Sequence, residues 1–264
     1  AMTWQDTLAE AERLWDEARH HDALQCVDRA ALVGESGRYH AALLRGDILL
    51  DLGDPVGALT SYESIAEPDT PDPRVDAARG IALFELARFP EADNALRSAL
   101  RGDPELGEAH FTLGLLYELL GNGREVEHFR LARQLDPQRY APAVQLGREE
   151  FERCIQDAIR ELPAGVARAL EGIGMVVQEL PHPDDLRESS ARISPRCLGL
   201  LVNTNASRSS PSSTAEEVEP VVVLFKRNLE RATTSRDHLV AEIKLTILHE
   251  IGHALGLDEH ESLR

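Results

Sequence analysis

What the 264-residue chain has little of narrows it first. Its three cysteines, Cys26, Cys154 and Cys197, are odd in number, far apart and without a CxxC pair. That pattern excludes a disulfide framework and a structural zinc ribbon, and it makes a reduced, cytoplasmic chain the expectation. No apolar run approaches the roughly 18 residues of a membrane span, and no basic stretch followed by an apolar one opens the sequence. Neither membrane insertion nor export is expected. Asn205-Ala206-Ser207 matches a glycosylation sequon, but without an export signal it reads as a polar loop. Positive charge is also scarce: 28 Lys and Arg stand against 46 Asp and Glu, a formal net charge of −18. The excess is in both halves, 14 basic against 26 acidic residues over 1–140 and 14 against 20 over 141–264. Neither half is suited to neutralising phosphates, so nucleic acid and anionic membranes are excluded as partners, while basic or extended peptides remain.

What is present is enough for two domains, each with its own core: the apolar fraction is 42% over a length that supports both. Residues 1–140 are rich in Ala, Leu, Arg and Glu, and they repeat. Gly46, Gly80 and Gly114 are 34 residues apart; Gly53, Ala87 and Gly121 keep that interval, as do Ala58, Ala92 and Val126. A period of this length belongs to stacked helix-turn-helix pairs. Small residues let the two helices of a pair approach, and Asp103-Pro104 and Asp136-Pro137 end one unit and restart the next. The first unit, around Leu14, Ala18, Ala23 and Ala30, is out of phase by one residue, as suits a terminal unit.

The segment from Gly80 to Ala92 with Ala99-Leu100, and Leu113-Gly114-Leu115-Leu116-Tyr117 with Gly121 and Ala132, resemble the tetratricopeptide repeat. Four units over 4–138 are expected. The resemblance implies a concave face that takes a protein or peptide, or a scaffold packed on the next domain. One use in that family clamps a terminal carboxylate with Lys and Asn. The matching positions are Leu43, Asp47, Ala77, Ile81, Phe111 and Leu115. None is basic, which excludes that use.

After Pro142 the texture changes. Residues 144–161 predict an amphipathic helix through Leu146, Phe151, Cys154, Ile155, Ala158 and Ile159, followed by a short helix over 164–170. Strands are expected over 174–180, 198–202 and 220–226, with the second as the likelier open edge and a long polar loop from Asn203 to Pro220 as either a flap or an untethered connection. A final helix from Arg236 to about Leu255 has Val240, Ile243, Ile247, Ile251 and Ala254 as its core stripe, which turns Thr246, His249, Glu250 and His253 away from the core.

That helix carries His249-Glu250-Ile251-Gly252-His253, an HExxH motif. Residues four apart on a helix are separated by about 400° and roughly 6 Å of rise, so the two imidazoles can share a metal. Glu250 sits beside the first, where a carboxylate can take a proton from a water activated at the metal. Gly256 can end the helix in a left-handed turn that returns the chain toward the metal. Catalytic zinc needs a third protein ligand and an open position, and Asp258, Glu259 and His260 compete for that role.

In metzincins the third histidine stands ten residues after the first, a place held here by Glu259; His260 has the spacing of the archaemetzincin variant, whose cysteine-containing segment is absent. Residues 148–264, with a closing helix that ends HEIGHALGLDE, are more similar to the zincin-like metallopeptidases of bacteria. That resemblance implies a two-domain chain. An all-α tetratricopeptide-like solenoid over 1–140 is followed by a small α+β zincin domain over 141–264, with a short sheet and an HExxH active-site helix. It further implies Zn2+ held by His249, His253 and Glu259, with His260 as the alternative third ligand, and Glu250 as general base. The activity implied is hydrolysis of a protein or peptide that the repeats recruit. The competing expectation is a latent zincin-fold scaffold that only binds proteins. No downstream Tyr or His follows His260 as a transition-state donor, so His260 itself, Arg227 and Arg231 are the candidates.

Overall fold

A computed structural model describes residues 3–65, 72–189, 192–203 and 220–254. The chain forms two compact units, 1–141 with 183–195, and 142–182 with 196–264. In the first unit the helices are α1 (Trp4–Asp16), α2 (His20–Ala31), α3 (Gly34–Asp51), α4 (Pro55–Glu63), α5 (Pro73–Glu85), α6 (Phe89–Gly102), α7 (Gly107–Leu119) and α8 (Glu125–Leu135). They pack as successive pairs, each pair on the next.

The 34-residue interval has a steric cause. A Cβ on Gly46 would lie 2.1 Å from the Tyr62 ring, on Gly80 2.6 Å from Leu96, and on Gly114 2.7 Å from Phe129. Each first helix therefore meets its partner through bare backbone. Gly53, Ala87 and Gly121 have φ of 74°, 55° and 61°, the left-handed turn that ends each first helix. Ala18, with φ 57°, does the same for the first pair. It stands one residue off the 34-residue phase, as the sequence indicates.

The last pair departs from the period. Ala58 and Ala92 are fully buried, whereas Val126 is 70% exposed. α8 begins four residues after Gly121, while α4 and α6 begin two after Gly53 and Ala87. Phe129 rather than residue 130 then fills the notch at Gly114. A one-residue slip turns a helix by roughly 100°, which carries Val126 out of the core.

The chain continues through α9 (Arg148–Arg160), α10 (Ala164–Leu170), β1 (Gly174–Gln178), α11 (Pro183–Glu188), β2 (Gly199–Asn203), β3 (Pro220–Phe225), α12 (Lys226–Arg231) and α13 (Arg236–Ala254). Neither α11 nor α12 was foreseen, and the sequence assigns 183–195 to the second domain. That segment instead counts with the first unit. There the Ser194 hydroxyl donates to the Glu85 carboxylate at 2.6 Å and the Arg187 guanidinium lies 5.3 Å from the Phe89 ring centre.

In the second unit β3 is central, parallel to β1 and antiparallel to β2. One sheet face meets α9 and α13 in a single core. Phe151, Cys154, Ile155 and Ala158 of α9 interlock there with Val222 and Leu224 of β3 and with Leu239, Val240, Ile243, Ile247 and Ile251 of α13. Alternation along β3 sends Val222 and Leu224 to this face. The 3.6-residue period does the same for both helices. No helix among the described residues is long and apolar enough to cross a membrane. Cys26, Cys154 and Cys197 are free thiols.

Candidate metal and catalytic site

α13 is unbroken through Ala254, so the backbones of His249 and His253 stand one helical turn apart, as shared coordination requires. The His249 side chain is exposed. The side chain of His253, and Asp258, Glu259 and His260 entirely, lie outside the described residues, as does the 204–219 loop. Among the described residues no group of three His, Cys, Asp or Glu could hold a metal. The one candidate ligand whose side chain is described fits zinc in kind: His249 carries an imidazole on the exposed side of a continuous helix.

Glu250 is placed differently from the sequence expectation. The stripe Val240, Ile243, Ile247 and Ile251 is buried as expected, but Thr246 and Glu250 are buried too, at 7% and 9% exposure. Measured around the helix, Glu250 falls roughly 60° from the centre of that stripe and His249 roughly 160°. Thr246 and Glu250 therefore flank the core and face β2, while His249 looks outward.

The contact that fixes Glu250 is a hydrogen bond. The Leu201 amide donates to Glu250 Oε2 at 2.8 Å. Along β2 the bonds to β3 alternate, and the Phe225 amide donates to the Leu198 carbonyl at 2.9 Å. Positions 198, 200 and 202 thus exchange bonds with β3, while Gly199, Leu201 and Asn203 turn theirs away from it. Among the described residues β2 is an outer strand of the sheet, as the sequence suggests, and Glu250 caps one of the amides it turns away from β3.

Gly199 makes this approach possible. A Cβ there would lie 2.7 Å from Thr246 Cγ2 and 3.0 Å from the Val223 carbonyl. The Thr246 hydroxyl donates to the Glu242 carbonyl at 2.9 Å, which anchors its side chain on the helix. Neither Gly199 nor the Leu201 amide was singled out from the sequence. A glycine inside the apolar run 198–202 is nonetheless a signal of close backbone approach.

Of the proposed transition-state donors, Arg227 is engaged with Glu179 and Glu230 at 3.8 Å each. Four of the six clamp positions of the repeats are likewise committed. Ala77 and Leu115 are in the core, and Phe111 stacks on Tyr140 with ring centres 5.0 Å apart. Asp47 accepts the Tyr62 hydroxyl at 2.7 Å, and burial raises its pKa.

Comparison with known proteins agrees with both halves. A family described as tetratricopeptide repeat matches residues 8–73 and 77–140, and one described as zincin-like metallopeptidase matches 170–263. Among solved structures, the crystal structure of MamA is 20% identical over 48% of this chain and 74% of its own, with a TM-score of 0.41. Among curated proteins none matches.

Proposed function

We propose that this chain, in which tetratricopeptide repeats precede a zincin-like metallopeptidase domain, is a zinc-dependent peptidase of the cytoplasm. The repeats recruit a protein or peptide, and the second domain cleaves it. The observation that carries this reading is the place of Glu250, which lies on the helix of the HExxH motif and touches the side of β2 turned away from β3. An extended segment added to that strand lies within hydrogen-bond reach of the carboxylate.

His249 and His253 would hold the cation, with Glu259 or alternatively His260 as third ligand. When bound, zinc supplies polarisation of the scissile carbonyl and a more acidic water. Glu250 takes a proton from the attacking water and passes it to the leaving nitrogen. The exposed position of His249 leaves the helix core intact when the imidazole is engaged.

In the test, wild type is expected to carry about one zinc per chain and His249→Ala/His253→Ala none; equal zinc in both would overturn the site. Glu250→Ala keeps the metal and slows cleavage of unfolded β-casein by about 10²–10⁴-fold. Glu259→Ala loses zinc while His260→Ala retains it; the reverse result transfers the third ligand to His260. The Leu201 bond also favours a second reading, a latent protein-binding scaffold, because a carboxylate held by a backbone amide is not free to act as a base. Wild type and Glu250→Ala both inert toward β-casein would select it.

A further inference from the structure

The bond between Glu250 and β2 is built into the second unit. Four residues of helix rise about 6 Å and two of strand about 6.6–6.8 Å. The contacts Thr246 to Gly199 and Glu250 to Leu201 are therefore consecutive rungs of one register, with α13 running in the direction of β2. Gly199, Leu201 and Asn203 form the outward row of the strand, and Leu201 is its middle member. An outward row of amides and carbonyls is a template for another extended chain. Here the middle donor already has an acceptor, and that acceptor is the motif carboxylate.

We propose that Glu250 is an edge latch: it holds the Leu201 amide in the resting protein, and an extended polypeptide segment pairing with β2 takes that amide and releases the carboxylate. The exchange conserves hydrogen bonds. The Leu201 N–H passes from Glu250 Oε2 to a carbonyl of the incoming backbone, and no covalent bond changes. Release of the carboxylate for catalysis rests on the peptidase reading; the competition for the amide does not. Recognition is by backbone, so the ligand class is an unfolded or extended segment of any composition able to lie flat on the strand. A compact protein, or a ligand too short to span β2, leaves the latch closed.

Residue-resolved hydrogen exchange on the full chain tests the resting contact. The readout is the exchange rate of the Leu201 amide relative to those of Leu200 and Val202, which face β3; this ratio cancels any general loosening of the sheet. In Glu250→Ala the ratio is expected to rise at least about ten-fold, the scale of a lost bond to a charged acceptor. An unchanged ratio overturns the latch. Gly199→Ala, which pushes Thr246 from the strand but keeps Glu250, is expected to raise the ratio as well.

Competition is tested with fluorescein-labelled β-casein on chelator-treated protein, where no turnover occurs. Fluorescence anisotropy is expected to show tighter binding to Glu250→Ala than to wild type, since the amide no longer has an internal acceptor. Equal or weaker binding overturns the competition. Neither readout uses cleavage, so the latch stands or falls separately from the peptidase reading.

Discussion

Glu230 is fully buried, and its Oε1 accepts the Leu146 amide at 2.8 Å and pairs with Lys226 Nζ at 2.8 Å. Lys226, 8% exposed, also lies 5.8 Å from the Phe151 ring centre. One carboxylate thus ties α12 to the segment that enters α9. Replacing a buried pair by apolar groups can be neutral, but removing one partner strands the other charge, at a cost of about 3–5 kcal/mol. Glu230→Ala is expected to lower unfolding free energy by that amount in urea titration, against under about 0.5 kcal/mol for Arg13→Ala on the surface of α1. An effect of Glu230→Ala no larger than that of Arg13→Ala would remove this role. At this scale the sequence was legible where chemistry is local. His249, Glu250 and His253 share five residues, so their type and spacing stand in the text. The partner of Glu230 lies 84 positions away, and Leu201 offers Glu250 only its amide. A backbone group has no letter in the sequence, so the fold had to be known before either contact could be seen.

At the scale of elements, the paired helices were readable because one steric requirement recurs. A glycine faces a large side chain of the next helix at Gly46 and Tyr62, at Gly80 and Leu96, and at Gly114 and Phe129. The slip in the last pair was not readable, since it depends on where α8 starts. That pair also contains a proton-sharing contact. His110 Nε2 lies 3.1 Å from the Pro104 carbonyl, which can only accept, so His110 carries its hydrogen there and presents a bare Nδ1. His128 Nδ1 lies 3.0 Å from that nitrogen and must donate. The ring centres are 5.2 Å apart, which puts both nitrogens near the line joining the rings. This is the alignment of a hydrogen bond, whereas two ligands of one cation converge on a point off that line.

The pKa of His128 is lowered, first by burial and then by repulsion from His110 when that ring is protonated as well; Arg124 adds to this, while Glu127 and Asp93 oppose it. A base depressed in the folded state stabilises the fold fully above its unfolded value, about 6.5. It loses that contribution as pH falls through this value toward the folded one. The urea midpoint of the helical signal is therefore expected to fall between about pH 7.5 and about pH 5.5. His128→Asn keeps a donor toward His110 without a titrating ring and should flatten this dependence. A pH profile identical in both proteins would show that the pair does not contribute.

For the whole molecule, periodicity separated the two halves, because helical pairs and a strand-containing segment differ in their pattern of apolar residues. The assignment of 183–195 to the first unit escaped that reading: Ser194 and Arg187 find Glu85 and Phe89 about a hundred residues earlier, |i−j| being 109 for the first pair. The second unit closes its core through Phe151, Leu224, Leu229, Ile243, Ile247 and Ile251, none of which is a candidate ligand. On the proposed zinc reading, metal binding at one end of α13 would therefore be an addition to a folded unit and not the condition for folding, unlike a zinc finger, which is unfolded without its ion. A ligand at about a thousand times its Kd adds about 4 kcal/mol to stability. Chelation is thus expected to lower the melting temperature by several degrees while the far-ultraviolet circular dichroism at room temperature stays unchanged, and added zinc should restore the melting temperature. If chelation instead abolished the helical signal of α9 and α13, the ion would be structural, and Glu250 beside it would need another explanation than catalysis.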